Sequence, residues 1–174
     1  MPIRVVIVDD HAIVRAGMRM LLQSDPEIAI VGEGESGADA LALARTHQPD
    51  VILMDVSMPG IDGVEATQRI KQENPGTAVL AVTIHEGPDY FFRMLQAGAS
   101  GYVPKRAAPE DLMRAIHIVA EGNVFLEPGI AKDLVADYLQ GDSQNGGVDP
   151  RFFESMRAAL GAPHASAIRD LPLR

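Results

Sequence analysis

Short apolar runs alternate with amphipathic segments along the first 120 residues, and this alternation limits the fold more than any other feature of the chain. The runs are Ile3–Val8 (IRVVIV), Ile28–Val31 (IAIV), Val51–Met54 (VILM), Val79–Val82 (VLAV) and Gly101–Val103 (GYV). Each is a short apolar run and reads as a strand. Between them, apolar residues fall at helical spacing. Ile13, Val14, Met18, Leu21 and Leu22 mark a helix within His11–Gln23. Ser36 caps a second, with Ala40, Leu41 and Ala44 on its inner face, and Asp62 caps a third carrying Val64 and Ile70. Tyr90–Gln96 is a fourth, closed by Gly98, and Glu110–Ala120 a fifth, closed by Gly122. Pro75–Gly76 signals a turn. Strict β-then-α alternation with short connections predicts an α/β fold: a doubly wound parallel sheet with helices on both faces. Pro104 cannot donate to a ladder, so the fifth strand is expected at an edge of the sheet.

Polar residues follow the runs in a pattern with chemical content. The Asp9–Asp10 pair, Asp55, Thr83 and Lys105 each stand at or just past a strand end. In open parallel sheets, sites form at the carboxyl ends of strands where strand order reverses. Acids, one amine and one alcohol gathered there suggest divalent metal and phosphoryl chemistry. Asp55 is the candidate nucleophile, since a carboxylate can attack phosphorus and form an acyl phosphate. Attacker and target are both anionic, so charge must be neutralised. Asp10, with Asp9, would hold Mg²⁺ (or Mn²⁺) against Asp55, because magnesium takes hard oxygen ligands and keeps several waters. Lys105 would offer a point charge to one phosphoryl oxygen, and Thr83 a hydroxyl to another. Each residue alone has a plainer reading: a strand end, a turn, a cap. Their ordered recurrence is what raises them together. Asp62–Gly63 reads as a structural helix start, His11 starts the first helix rather than ligating, and the eight methionines fill the core.

At these residues the chain resembles a known family. VIVDDH, MDVSMPGIDG, AVTIH and GYVPK look like the receiver domain of two-component response regulators, in order and spacing, over residues 1 to 121. The resemblance implies a CheY-like (βα)5 fold, flavodoxin-like, with five parallel strands in the order 2-1-3-4-5. It implies phosphorylation of Asp55 by a sensor histidine kinase or phosphotransfer protein, in a switch rather than a turnover enzyme, with self-phosphorylation and self-dephosphorylation. Asp9, Asp10 and Asp55 match the family's metal-binding acids, with the Ser57 backbone carbonyl as a further ligand. Thr83 and Tyr102 match its switch pair: Thr83 would move to the phosphoryl group and Tyr102 would turn inward. Two departures stand out. Pro104 precedes Lys105 and Arg106 follows it, so the family's Lys–Pro loop is absent. Ile84 stands where many relatives carry something smaller, and is expected to narrow access to Asp55. His85 is expected to tune water access.

Beyond the receiver the character changes. Residues 122–140 (GNVFLEPGIAKDLVADYLQ within it) resemble the linker of NarL/FixJ-type regulators, with one more amphipathic helix at Pro128–Gln140. Residues 141–174 open on GDSQNGG and read as a flexible tail with no recognisable output domain. Arg151, Arg157, Arg169 and Arg174 are balanced there by Asp142, Asp149, Glu154 and Asp170, so no basic DNA-reading face is visible. The lineage would place a helix-turn-helix domain next, which residues 141–174 are too few to supply. The net charge of −9 argues against the whole chain sitting on nucleic acid. DNA contact is therefore expected only through an output domain not visible in this sequence. A homodimer, through helices 1 and 5 or the helix 4–strand 5 face, is the other expected partner. With no cysteine, disulfides and thiolate chemistry are excluded. No apolar run approaches the roughly 18 residues of a membrane helix, and a cytoplasmic protein without membrane partners is expected. Three functions compete: a phosphorylation-controlled binding module, a DNA-binding regulator, and an Asp-nucleophile phosphatase. The last wants Asp-x-Asp at the first strand, which Asp9–Asp10–His11 is not.

Overall fold

The computed structural model describes residues 1–85, 87–127, 129, 130 and 132. Met1–Glu127 forms one compact unit. The helix expected at Pro128–Gln140 and the tail at 141–174 lie, but for three positions, outside the described residues.

The elements run in the predicted alternation: β1 (Ile3–Val8), α1 (Ala12–Leu22), β2 (Ile28–Gly34), α2 (Gly37–His47), β3 (Val51–Met54), α3 (Gly63–Glu73), β4 (Ala78–Thr83), α4 (Pro88–Gln96), β5 (Gly101–Pro104), α5 (Pro109–Ala120) and β6 (Phe125–Leu126). All pair in parallel in one sheet, ordered β2-β1-β3-β4-β5-β6. The α/β class and the 2-1-3-4-5 order stand as expected, with a sixth strand added. No helix among the described residues is long and apolar enough to cross a membrane.

Alternation along each strand divides the core in two. Val5, Ile7, Val51, Leu53, Leu80, Val82 and Val103 pack with Met18 and Leu22 of α1 and with Leu112, Ala115, Ile116 and Val119 of α5. Val6, Ile52, Met54, Val79 and Ala81 alternate with them, and α2, α3 and α4 bring their buried residues Leu41, Ile70, Phe91 and Met94. β3 and β4 are buried at every position, as strands covered on both faces must be.

The helix ends obey their local chemistry. Ser36 accepts from the Asp39 amide at 3.1 Å and Asp62 from the Glu65 amide at 2.8 Å, as N-caps do. Gly98 and Gly122 close α4 and α5 at positive φ, +101° and +86°, which a side chain would resist.

The expected edge position of β5 is corrected. β6 pairs with Gly101 and Tyr102, so β5 has neighbours on both sides over its first half. Pro104 is tolerated for a narrower reason. The β6 ladder stops at Tyr102, and Pro104 is opposite Thr83 of β4 alone, so its missing N–H interrupts nothing on the outer side. β6 lies in the stretch read from sequence as linker.

Candidate functional site

The carboxyl ends of β1, β3, β4 and β5 converge at the reversal of strand order between β1 and β3. Backbone bonds hold three of the candidate residues just past their strands. The Asp9 amide donates to the Gly34 carbonyl at 3.1 Å, the Asp55 amide to Val8 at 2.9 Å, and the Lys105 amide to Thr83 at 2.8 Å. Sheet register thus places the side chains before they make any contact of their own. Gly63 keeps the floor tight: a Cβ there would meet the Asp55 carbonyl oxygen at 2.2 Å.

The structure brings the sequence-predicted acids and the lysine together. Lys105 Nζ lies 2.5 Å from Asp9 Oδ2 and 3.5 Å from Asp55 Oδ1. Asp9 and Asp55 are buried, Asp10 and Lys105 half-buried. Burial comes first in raising the Asp55 carboxyl to about 6. The Asp9 charge adds to it, the Lys105 ammonium opposes it, and hydrogen bonding and charge from Asp10 push it further up. Three carboxylates around one ammonium leave negative charge in excess.

The buried oxygen Asp9 Oδ2 is paired with Lys105 Nζ, and His11 Nδ1 lies 3.0 Å from Asp10 Oδ1. Ligand atoms of Asp9, Asp10, His11 and Asp55 all lie within 4.8 Å of one another. Three clustered carboxylates outweigh the one ammonium among them, and a hard divalent cation that takes oxygen ligands offsets the excess. The residues therefore fit Mg²⁺, with Asp9, Asp10 and Asp55 as oxygen donors. His11 is nearer the acids than its role as a helix start required. Its amide donates to Asp9 Oδ1 at 2.8 Å and its ring nitrogen approaches the same oxygen at 3.2 Å.

Thr83 is fully buried, and its hydroxyl accepts from the His85 amide at 3.0 Å. Tyr102 is buried too, packs edge-on against Phe91 at 5.3 Å, and donates its hydroxyl to the His85 carbonyl. Ser57, by contrast, is exposed, and its hydroxyl bonds His85 Nε2 at 2.6 Å. Ile84 points to solvent, 69% exposed. Sequence reasoning missed the Ser57–His85 bond and the Arg15 guanidinium, which donates to the Asp9 carbonyl at 2.6 Å. Arg15 had a signal, lying on the first helix one turn past the acids. The Ser57–His85 bond, between residues 28 apart, had none.

Residues 5–117 match the family described as the response regulator receiver domain. The chain is 41% identical over 147 residues to the response regulator GacA of Pseudomonas viridiflava, covering 84% of this chain and 69% of that protein. It is 39% identical over 136 residues to the transcriptional regulatory protein DegU of Brevibacillus brevis, covering 78% of this chain and 58% of DegU. It therefore spans less than two thirds of that relative's length. Among solved structures, a LuxR-family two-component response regulator from Aurantimonas sp. SI85-9A1 superposes with a TM-score of 0.76 at 36% identity, over 80% of this chain and 99% of that one. With the acids and lysine gathered at the carboxyl ends of the strands, the chain belongs to the receiver family of two-component response regulators.

Proposed function

We propose that Asp55 is the phosphoacceptor of this receiver, that Asp9, Asp10 and the Ser57 carbonyl complete a Mg²⁺ site with it, and that Thr83, Lys105 and Tyr102 read its state. The observation that carries the reading is the cluster of Asp9, Asp10 and Asp55, with ligand atoms within 4.8 Å of one another and Lys105 in contact with Asp9 and Asp55. When bound, Mg²⁺ supplies the charge neutralisation that lets one anion approach another.

The chain's own groups do the rest. An Asp55 carboxylate oxygen attacks phosphorus; the P–N bond of a phosphohistidine donor breaks, and the departing imidazole takes a proton from water. An acyl phosphate remains. Lys105, 3.5 Å from Asp55, is within a small rotation of the new phosphoryl oxygens. Thr83 would exchange its bond from the His85 amide for one to phosphate, donating its hydroxyl proton. The phosphodonor is a histidine kinase or phosphotransfer protein, and small acyl phosphates substitute in self-phosphorylation. Catalysis is positioning and electrostatics throughout.

Incubation with Mg²⁺ and a small acyl-phosphate donor tests the reading. A mass increase of one phosphoryl group is expected, lost with chelator and absent in Asp55→Asn. Labelling that survives Asp55→Asn would overturn it.

Similarity to the transcriptional regulatory protein DegU favours transcription as the output in a longer protein of this kind. A phosphorylation-dependent and salt-sensitive shift of promoter DNA by a protein with an output domain is the expected result. Equal DNA binding with and without phosphorylation would count against it.

A further inference from the structure

His85 meets Thr83, Tyr102, Ser57 and Tyr90, each by a different part of the residue. Its amide donates to the Thr83 hydroxyl at 3.0 Å. Its carbonyl accepts the Tyr102 hydroxyl. Its Nε2 lies 2.6 Å from the Ser57 hydroxyl, two residues beyond Asp55. Its ring stacks on Tyr90 of α4, with centroids 4.2 Å apart and planes 17° from parallel. The chain of contacts continues outward. The Arg93 guanidinium lies 5.9 Å from the Tyr90 ring centre and 3.8 Å from Asp62, the residue that caps α3. A closed circuit thus runs from the loop after β3, through His85, along α4, and back to the start of α3.

A plain packing role does not account for this arrangement. His85 is half-buried, so the core does not need its ring, and Ser57 is exposed, so its hydroxyl does not need a protein partner. The two side chains nevertheless hold each other across two loops that the backbone leaves separate. With Thr83 and Tyr102 bonded to the backbone of the same residue, any displacement at Asp55 that moves the Ser57 loop pulls on both.

We propose that His85 is a positioning residue that couples the loop following Asp55 to Tyr102 and α4, with the Ser57 side chain as its anchor. The proposal rests on the receiver reading given above. The coupling has a direction. Tyr102 lies inward here, held by the His85 carbonyl, and inward is the arrangement the family resemblance associates with phosphorylation. The Ser57–His85 bond therefore favours the phosphorylated arrangement. Breaking it shifts Tyr102 outward, and a phosphoryl mimic at Asp55 then binds more weakly in proportion to the inward fraction lost.

Beryllofluoride titration, read by fluorine resonances of fluorotyrosine-labelled protein in Mg²⁺, tests this. His85→Ala and Ser57→Ala should each weaken apparent beryllofluoride affinity by roughly 3- to 10-fold, the worth of one hydrogen bond. Each should move the Tyr102 resonance of the free protein away from its wild-type position, and saturating beryllofluoride should bring it back. The double variant should be no weaker than His85→Ala alone, because one bond is lost in both. His85→Gln, whose amide can still reach Ser57, should recover part of the affinity. A structural role alone would lower the unfolding midpoint without this pattern. Wild-type affinity and an unmoved Tyr102 resonance in Ser57→Ala would overturn the proposal, as would effects that multiply in the double variant. Should His85→Ala fail to fold, Ser57→Ala decides the matter by the same readouts. Failure of the underlying reading looks different: wild type would not bind beryllofluoride, or Asp55→Asn would bind it equally.

Discussion

Asp55 shows how far an environment can carry one side chain. An ordinary aspartate ionises near 3.8, whereas this one is pushed to about 6 by burial and then by Asp9, against the pull of Lys105. The consequence for stability follows from the sign. A carboxyl whose folded value is raised binds its proton more tightly in the folded chain. Its favourable contribution is complete below 3.8 and is lost as pH rises through about 6. Without metal, the melting temperature should therefore fall across that window, and Asp55→Asn should remove that component of the fall. Thermal unfolding against pH in chelator checks this. The causes can be separated by following the Asp55 carboxyl carbon by NMR. Asp9→Asn should lower the midpoint and Lys105→Met should raise it. Opposite movements would mean that the charges act through a rearrangement rather than directly.

At the scale of elements, α3 matters most to the site because it begins against it. Gly63 packs on the Asp55 carbonyl so closely that Gly63→Ala must displace backbone. We expect a loss of about 1–3 kcal/mol in denaturant unfolding, the usual cost of overpacking, together with slower phosphorylation of Asp55. Asp62→Ala removes the α3 cap at 2.8 Å and should cost about 1 kcal/mol, with a smaller effect on phosphorylation. Comparing the two by urea midpoint and labelling rate separates a damaged site from a weakened helix. These elements were legible in the sequence because each bears a period: Asp62 before Val64 and Ile70, an apolar quartet before Asp55. The closeness of Gly63 to Asp55 was not, since a glycine after a capping residue is equally at home in an ordinary helix start.

The compact unit Met1–Glu127 runs past the last turn of α5 to include β6. Phe125 explains why. It is buried at 5% exposure, its amide donates to the Ser100 carbonyl at 3.0 Å, and the Arg114 guanidinium lies 5.7 Å from its ring centre. Phe125→Ala should cost about 3 kcal/mol by opening a cavity between β5 and α5. The urea midpoint of the full chain measures it. No change would mean that β6 is an ornament on a five-stranded sheet.

The sequence by itself determined the alternation of strands and helices, the doubly wound class, and that Asp9, Asp10, Asp55, Thr83 and Lys105 stand at or just past strand ends. These follow from local periodicity and from which residue ends each run, and both are properties of neighbours in the chain. Only the tertiary structure decided what depends on neighbours in space. Two residues, Phe125 and Leu126, are too few to show a period, and they become a strand because β5 has an open side. Ser57 and His85 are unremarkable polar residues until two loops bring them to 2.6 Å. The proton affinity of Asp55 belongs to no residue alone: it is set by the burial and charges that the sheet's register assembles around it.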